Sequence, residues 1–459
     1  MRFAVVGGGI TGLAAAWQLA GDLPNAEVTV FEPQRLGGKI LTGELDGRPV
    51  DCGPDAFITR VPDAAQLCLE IGLAGELVTP AAGRAQLWYA GRLRDLPDGL
   101  VLGVPGRLSS LLAARVLSAR GLARAAADLF LPAGEWRGDV PVADLIGSRF
   151  GHEVVERLVD PLLGGIHAGS TRLLSAEATT PQLVEVARSG RSLLLGLRGY
   201  ARPGTVGRSS PASGPVFSAP KGGMARLVER LSDALASKDV EVLHSAVTAV
   251  HAGSAGRGVL MEPGGHFDGA VLAIPAPDAA RVLGEASPGA VAELAAIRFA
   301  SVAVVTLVYP ADAVRLGEGR SGFLVPATEN RLLTACSYGS AKWPHWSAPG
   351  KVVLRASVGR DGREEGLQLD DPALVDRVHA ELEEAVGARS EPAMWRVHRW
   401  PSSFPQYDVG HLGRVARIEA AVSRDLPCVA VAGASYHGSG IPACIASGRR
   451  AAVAIVAGA

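Results

Sequence analysis

The residues with the clearest chemistry stand at the start of the chain. Gly7, Gly9 and Gly12 read GxGxxG, with Gly8, Ile10 and Thr11 filling the spacing, and Glu32 follows 20 residues after Gly12. The first glycine permits a tight turn after a strand, the second lets a pyrophosphate approach the backbone, and the third lets helix and sheet pack closely. A helix opening at such a turn points free N–H groups and the positive end of its dipole at the phosphates. An acid closing the next strand accepts hydrogen bonds from ribose hydroxyls. A lone GxGxxG is weak evidence, but here its setting is complete. Arg2 to Val6 read as a buried strand, Gly12 to Ala20 as a helix, and Glu27 to Glu32 as a second strand. These residues point to dinucleotide binding by a parallel βαβ unit. They leave nicotinamide and flavin open.

The next residues bear on that choice. After Glu32 and Pro33 come Arg35-Leu36-Gly37-Gly38-Lys39, then Asp51-Cys52-Gly53-Pro54-Asp55-Ala56. A nicotinamide dehydrogenase would normally continue the sheet here. The glycine doublet after the ribose-binding acid resembles the flavin monoamine-oxidase superfamily, where it lets the chain pass close to the ribityl and phosphate groups.

The elements that must hold these residues are spread along the chain. Residues 62–77 read as helical, 86–97 as strand, turn and strand, and 108–131 and 142–163 as helical blocks. Residues 200–220 are rich in Gly, Pro and Ser and read as a surface loop. MARLVERLSDALASK reads as an amphipathic helix, HSAVTAV as part of a strand, and 300–309 and 352–358 as strands. The last segment, CVAVAGASYHGSGIPACIASGRRAAVAIV, repeats the strand–glycine turn–helix layout of the start. Nucleotide-domain signals therefore occur near the start, around 221–290, and at the end, with two insertions between them.

Composition narrows the class. The chain has 459 residues, 48% hydrophobic and 20% charged, enough for two or three cores. A formal net charge of -1 provides no general pull toward nucleic acid or anionic membrane. Five scattered cysteines without a CxxC pair argue against a disulfide framework or a metal site, and fit reduced thiols in a cytoplasm. MRFAVVGGGITG does not read as a signal peptide, and no run of 18 uncharged apolar residues suggests a spanning helix. The helical block at 108–131 could touch a membrane surface, although its apolar residues fit a core face better.

Within the superfamily the chain resembles the protoporphyrinogen and coproporphyrinogen III oxidases. RLGGKILT with VDCGPDAFITR carries the likeness, as do LPAGEW, DPLLGGIHAGSTRLLSAEAT, KGGMARL, FLVPATENRLLTACSYGSAKWP, RWPSSFPQYDVGH and GASYHGSGIPACIASG. The likeness covers essentially the whole chain and is strongest to the coproporphyrin III-forming oxidases of Gram-positive bacteria. It departs at Ser439 and Ala443, where relatives carry valine and an acid.

The resemblance implies an α/β fold: a discontinuous Rossmann-like FAD-binding domain (1–80, 221–290, 411–459), an inserted mixed-sheet substrate domain (81–100, 205–220, 291–410) and a helical domain (101–204). It implies non-covalent FAD. Gly7 to Gly12 would hold the pyrophosphate, Glu32 and Pro33 the ribose, and Lys39 with Gly53, Pro54, Asp55 and Ala56 would lie near the ribityl chain and isoalloxazine. Val247 would meet the adenine through its main chain, and Trp400, Ala434, Ser439, Gly440 and Ile441 would border the flavin. Relatives oxidise a porphyrinogen with dioxygen and release hydrogen peroxide. Propionates call for cationic anchors, and Arg84 and Arg60 are the candidates. No catalytic side chain is identified. Coproporphyrinogen III is preferred over protoporphyrinogen IX, and docking with the next haem-pathway enzyme is a further expectation. An amine oxidase would commonly place a lysine near the flavin from the strand at 296–310, yet there is none between Lys238 and Lys342. A carotenoid desaturase or isomerase would share the first sixty residues but not the LLGGIHAG or KWP segments. A flavin-binding chaperone without turnover is the remaining rival.

Overall fold

The computed structural model describes residues 1–134, 136–198, 216–253 and 257–458. Most of the stretch read as a surface loop (200–215), the 205–215 part of the segment assigned to the substrate domain, and residue 135 of LPAGEW lie outside these residues.

Strand Arg2–Val6 is buried after its first residue, as a strand covered on both faces must be. It pairs in parallel with Glu27–Phe31 and with Gly269–Leu272. Glu241–Leu243 and Val429–Val431 add parallel strands at the two edges, making a five-stranded sheet from three separate passes of the chain. Side-chain alternation divides its two cores. Phe3 and Val5 pack under the helices Ile10–Asp22, Ala225–Ala236 and Ile441–Gly458. Ala4 and Val6 face Ala276–Leu283, Pro288–Ala295 and His411–Asp425. The first helix starts two residues before the expected Gly12 and ends at Asp22.

A seven-stranded mixed sheet forms the second body, in the order Met394–Pro405, Phe299–Pro310, Lys351–Val358, Leu333–Tyr338, Arg320–Leu324, Arg84–Tyr89, Arg92–Asp95. Its pairings are antiparallel except between Arg320–Leu324 and Arg84–Tyr89. Helix Asp371–Val386 covers one face, where Leu374, Val378 and Leu382 pack with Trp88, Phe323, Ala356 and Val305.

The third body is helical, with Leu145, Ile146, Leu158, Leu163 and Leu194 at its centre. A buried ion pair fixes it: Arg149 Nε donates to Asp128 at 2.6 Å, and the same carboxylate accepts from the Ser192 hydroxyl and the Leu194 N–H. Asp160 on helix Asp160–His167 pairs with Arg360 at 2.9 Å and so ties this body to the mixed sheet. Among the described residues no helix is long and apolar enough to cross a membrane.

Candidate functional site

The turn from Gly7 to Gly12 is built for close approach. Gly7 has φ +104°, a conformation that favours glycine, and a Cβ on Gly12 would lie 1.9 Å from the Gly7 carbonyl oxygen. Gly9 is different, because a Cβ there would meet nothing within 4 Å. The helix that follows has no side-chain cap on Gly9 and no acid in its first turn. Its dipole end is therefore uncompensated and faces open space, which suits a diphosphate.

Glu32 stands beside this turn. Its carboxylate accepts from the Gly8 N–H at 2.8 Å and the Gln34 N–H at 2.9 Å. Two acceptor sites of an ionised carboxylate are thus used, and its remaining lone pairs are free for hydroxyl groups. The glycine doublet packs on the same turn. Gly37 N–H donates to the Gly8 carbonyl at 2.8 Å, and a Cβ on Gly38 would lie 3.3 Å from the Gly9 Cα.

Lys39, Gly53 and Trp400 come together from three segments. A Cβ on Gly53 would sit 2.2 Å from the Lys39 carbonyl oxygen and 3.5 Å from the Trp400 ring. Trp400 Nε1 donates to the Cys52 carbonyl at 2.9 Å, and Lys39 Nζ donates to the Ser403 carbonyl. Pro54 and Ala56 are half-buried beside them. Asp55 is engaged by protein: Lys342 Nζ lies at 2.9 Å and Trp343 Nε1 at 3.0 Å, with an Arg355 nitrogen at 3.6 Å. Burial alone would raise its pKa, but the cations Lys342 and Arg355 outweigh it and hold the carboxyl at about 2. Asp55 is thus an ionised counter-charge that positions the Gly53–Ala56 segment, and Arg355 also donates to the Gly53 carbonyl at 2.5 Å.

The last pass of the chain supplies the opposite wall. The turn after Val429–Val431 runs past Ala434 to Ser439 and Gly440, and Ile441 opens the closing helix. A Cβ on Gly448 would fall 2.1 Å from the Thr11 carbonyl oxygen, so this helix lies directly against the first one. Val247 is buried, but it is not in a strand. It lies in the link between Glu241–Leu243 and Ala249–Ala252, because HSAVTAV reads as extended while the chain is crossing from the parallel sheet to a small antiparallel one. Among the described residues its main-chain N–H and C=O make no hydrogen bond, which leaves them available to an adenine edge.

The face of the mixed sheet opposite helix Asp371–Val386 looks toward these elements. Its cross-strand register aligns His398, Val304, Ser357, Ala335, Leu324 and Leu87 in one row. Trp400 is two residues from His398 and so shares that face. The neighbouring row holds Arg396, Thr306, Arg355, Ser337, Gly322 and Ala85. Helix Asp160–His167 lies over Leu324, with Gly165 and Ile166 exposed beside it. Burial pushes the His167 imidazole down to about 4 and keeps it neutral at physiological pH.

The sequence-based substrate anchors are not brought to this face. Arg84 alternates with Gln86 and Trp88, on the side of helix Asp371–Val386, and its charge acts on Asp95 at the sheet edge. Ala85 occupies the inward position. A shift of one residue in a strand changes the face, and sequence position alone does not settle that parity. Arg60 is exposed, just beyond strand Phe57–Ile58. Nothing local in the sequence marks Lys342, Trp343 and Arg355 as partners of Asp55, although two of them stand in the KWP segment.

The comparisons agree with this architecture. The family described as flavin containing amine oxidoreductase matches residues 10–456. A relative from Bacillus subtilis named coproporphyrinogen III oxidase is 34% identical over 457 residues, covering 97% of this chain and 96% of its own. A Bos taurus protein named protoporphyrinogen oxidase is 32% identical, with 98% of each chain covered. A solved structure from Exiguobacterium sp. 255-15 superposes with a TM-score of 0.86 at 32% identity, covering 99% of this chain and 98% of its own. The parallel-sheet nucleotide cradle, the mixed sheet facing it and the full-length likeness together make this chain a member of the flavin-containing amine oxidoreductase family, in the branch that holds the coproporphyrinogen III oxidases.

Proposed function

We propose that the chain binds FAD non-covalently and oxidises coproporphyrinogen III to coproporphyrin III, with dioxygen as acceptor and hydrogen peroxide as by-product, in the cytoplasm as a step of haem biosynthesis. The observation that carries this reading is the full-length likeness, at 34% identity, to a relative named for that activity. FAD supplies the two-electron chemistry when bound, and the protein's part is to bind, orient and exclude water.

Gly7 to Gly12 with the first helix would hold the diphosphate, Glu32 the ribose, and Val247 the adenine. Lys39, Gly53 to Ala56, Trp400, Ala434 and Ser439 to Ile441 would enclose the flavin ring and its ribityl chain. The substrate would lie between that wall, the apolar residues Val304, Ala335 and Leu324 of that row, and helix Asp160–His167. Arg355 is committed to Asp55 and Gly53, so its charge serves the flavin wall before any propionate. Arg60 remains the proposed propionate anchor, and Arg84, on the other face of the sheet, would contribute no more than a distant charge. Three two-electron rounds on one macrocycle consume three dioxygen molecules and release three of peroxide. The aromatic product makes the reaction strongly downhill, and no strong general base is called for.

A second reading, protoporphyrinogen IX as substrate, is favoured by the 32% identity to the bovine relative. Anaerobic stopped-flow mixing of the purified yellow protein with each porphyrinogen decides between them. Faster flavin bleaching with the tetracarboxylate supports the first reading. Faster bleaching with the dicarboxylate supports the second, and bleaching only with an amine overturns both. Docking with the next haem-pathway enzyme is part of the proposal, and co-sedimentation with it is the test.

A further inference from the structure

One buried phenol joins parts of the molecule that the flavin reading treats separately. Tyr407 is 2% exposed. Its hydroxyl donates to the Ala434 carbonyl at 2.5 Å and accepts from the Gly438 N–H at 3.0 Å, so a single oxygen clamps both ends of the turn that leads into helix Ile441–Gly458. Gly438 has φ +133°, a conformation that favours glycine.

The residues around Tyr407 lead to the substrate side. Its own carbonyl accepts from the Ser175 N–H of the helical body at 2.7 Å. Gln406 beside it donates from Nε2 to the His167 carbonyl at 3.1 Å. The His167 and Tyr407 rings are 6.1 Å apart. On its other side Tyr407 stacks on His411 at 4.1 Å and 15°, and His411 Nε2 is 2.9 Å from the Tyr436 carbonyl in the same turn. His167 ends the helix that lies over the inward face of the mixed sheet.

We infer that Tyr407 is a positioning residue of the flavin site: its phenol sets the Ala434–Gly438 turn against the flavin, and with Gln406 it transmits the position of helix Asp160–His167 to that turn. This rests on the flavin reading and deepens it. The turn carries Ala434, and Ser439 to Ile441 follow it directly, so a change in its shape alters the groups nearest the ring. Removing the hydroxyl leaves the Ala434 carbonyl without its donor and the Gly438 N–H without its acceptor, at a site closed to water.

Tyr407→Phe keeps the ring, the stack on His411 and the fold. The holoenzyme variant is expected to show a displaced flavin absorption band and midpoint potential. Its kcat should fall about tenfold with KM for the porphyrinogen within about twofold, the size of one buried hydrogen-bond pair converted to a rate. A variant whose spectrum, potential and kcat all match wild type overturns the inference. So does one that loses only KM. Should Tyr407→Phe fail to fold, site-specific 3-fluorotyrosine at 407 keeps both hydrogen bonds and strengthens donation. It must then shift the flavin band, and an unshifted band overturns the inference. The wild-type spectrum separates the two readings. A colourless protein refutes the flavin site itself, whereas a yellow protein indifferent to Tyr407 refutes only this role.

Discussion

Replacing Gly9 by alanine separates cofactor binding from folding in a way that the other fingerprint glycines do not allow. Gly9 has φ -72° and ψ 174°, which any residue adopts, and its added Cβ meets no protein atom within 4 Å. The apoprotein should lose nothing. Restricting the unfolded chain should raise its stability by about 0.4–1 kcal/mol, a shift in Tm of about 1–2 °C. The same methyl group enters the space before the uncapped helix terminus, where the diphosphate would approach the backbone. Losing one charge-assisted hydrogen bond to phosphate costs about 1.5–3 kcal/mol, or roughly 10- to 150-fold in Kd for FAD. The assay is a flavin fluorescence titration of apoprotein, paired with its thermal unfolding curve. Gly12→Ala is the control. Its Cβ would lie 1.9 Å from the Gly7 carbonyl oxygen, so it should damage folding and binding together. If Gly9→Ala binds FAD within about twofold of wild type, the diphosphate does not lie there and the reasoning fails. If apo Gly9→Ala is as unstable as Gly12→Ala, the open space itself is refuted.

Other consequences follow from burial and charge. Asp128→Ala leaves the Arg149 guanidinium, a buried charge, without its carboxylate; it should cost about 3–5 kcal/mol in denaturant unfolding of the holoenzyme while leaving the flavin spectrum of the folded fraction unchanged. Asp51 accepts from Thr42 Oγ1 at 2.5 Å and the Met224 N–H at 2.8 Å, yet burial raises its pKa to about 6. A carboxyl with a folded pKa above its unfolded value gives stability that is fully present below about pH 4 and lost as pH rises through 6, roughly 2–3 kcal/mol in all. Asp51→Asn keeps the acceptor and removes that loss, so its Tm at pH 8 should equal or exceed that of wild type, and its change between pH 4 and 6 should flatten. Arg84→Ala removes a charge from the outer face and should change KM for the porphyrinogen by less than about twofold in steady-state assays; a larger rise would restore Arg84 as a substrate anchor.

The sequence by itself determined the glycine turn and its βαβ unit, because the contacts that shape Gly7 to Gly12 and Glu32 within that unit are short in range along the chain. Gly12 must be glycine because of the Gly7 carbonyl five residues earlier, and Glu32 reaches Gly8 across one βαβ unit. Backbone sterics and hydrophobic period act over such distances and leave a mark in the residues themselves. The strands at 300–309 and 352–358 were legible for the same reason. Tertiary structure alone decided the rest. Asp55 stands in a recognised segment, but only the fold brings Lys342 and Trp343, just past strand Leu333–Tyr338, and Arg355 of strand Lys351–Val358 to its carboxylate. Val247 looked like strand until the chain was seen to be changing sheets there. Arg84 is a substrate-anchor candidate by the family likeness, but the alternation of its strand puts Ala85, not Arg84, on the inward face. Tyr407 stood in a recognised segment, but nothing local to it says that its hydroxyl meets Ala434 and Gly438. Each of these depends on which strand or turn lies alongside, a choice made by burial summed over the whole fold, and no period or spacing in the sequence encodes it residue by residue.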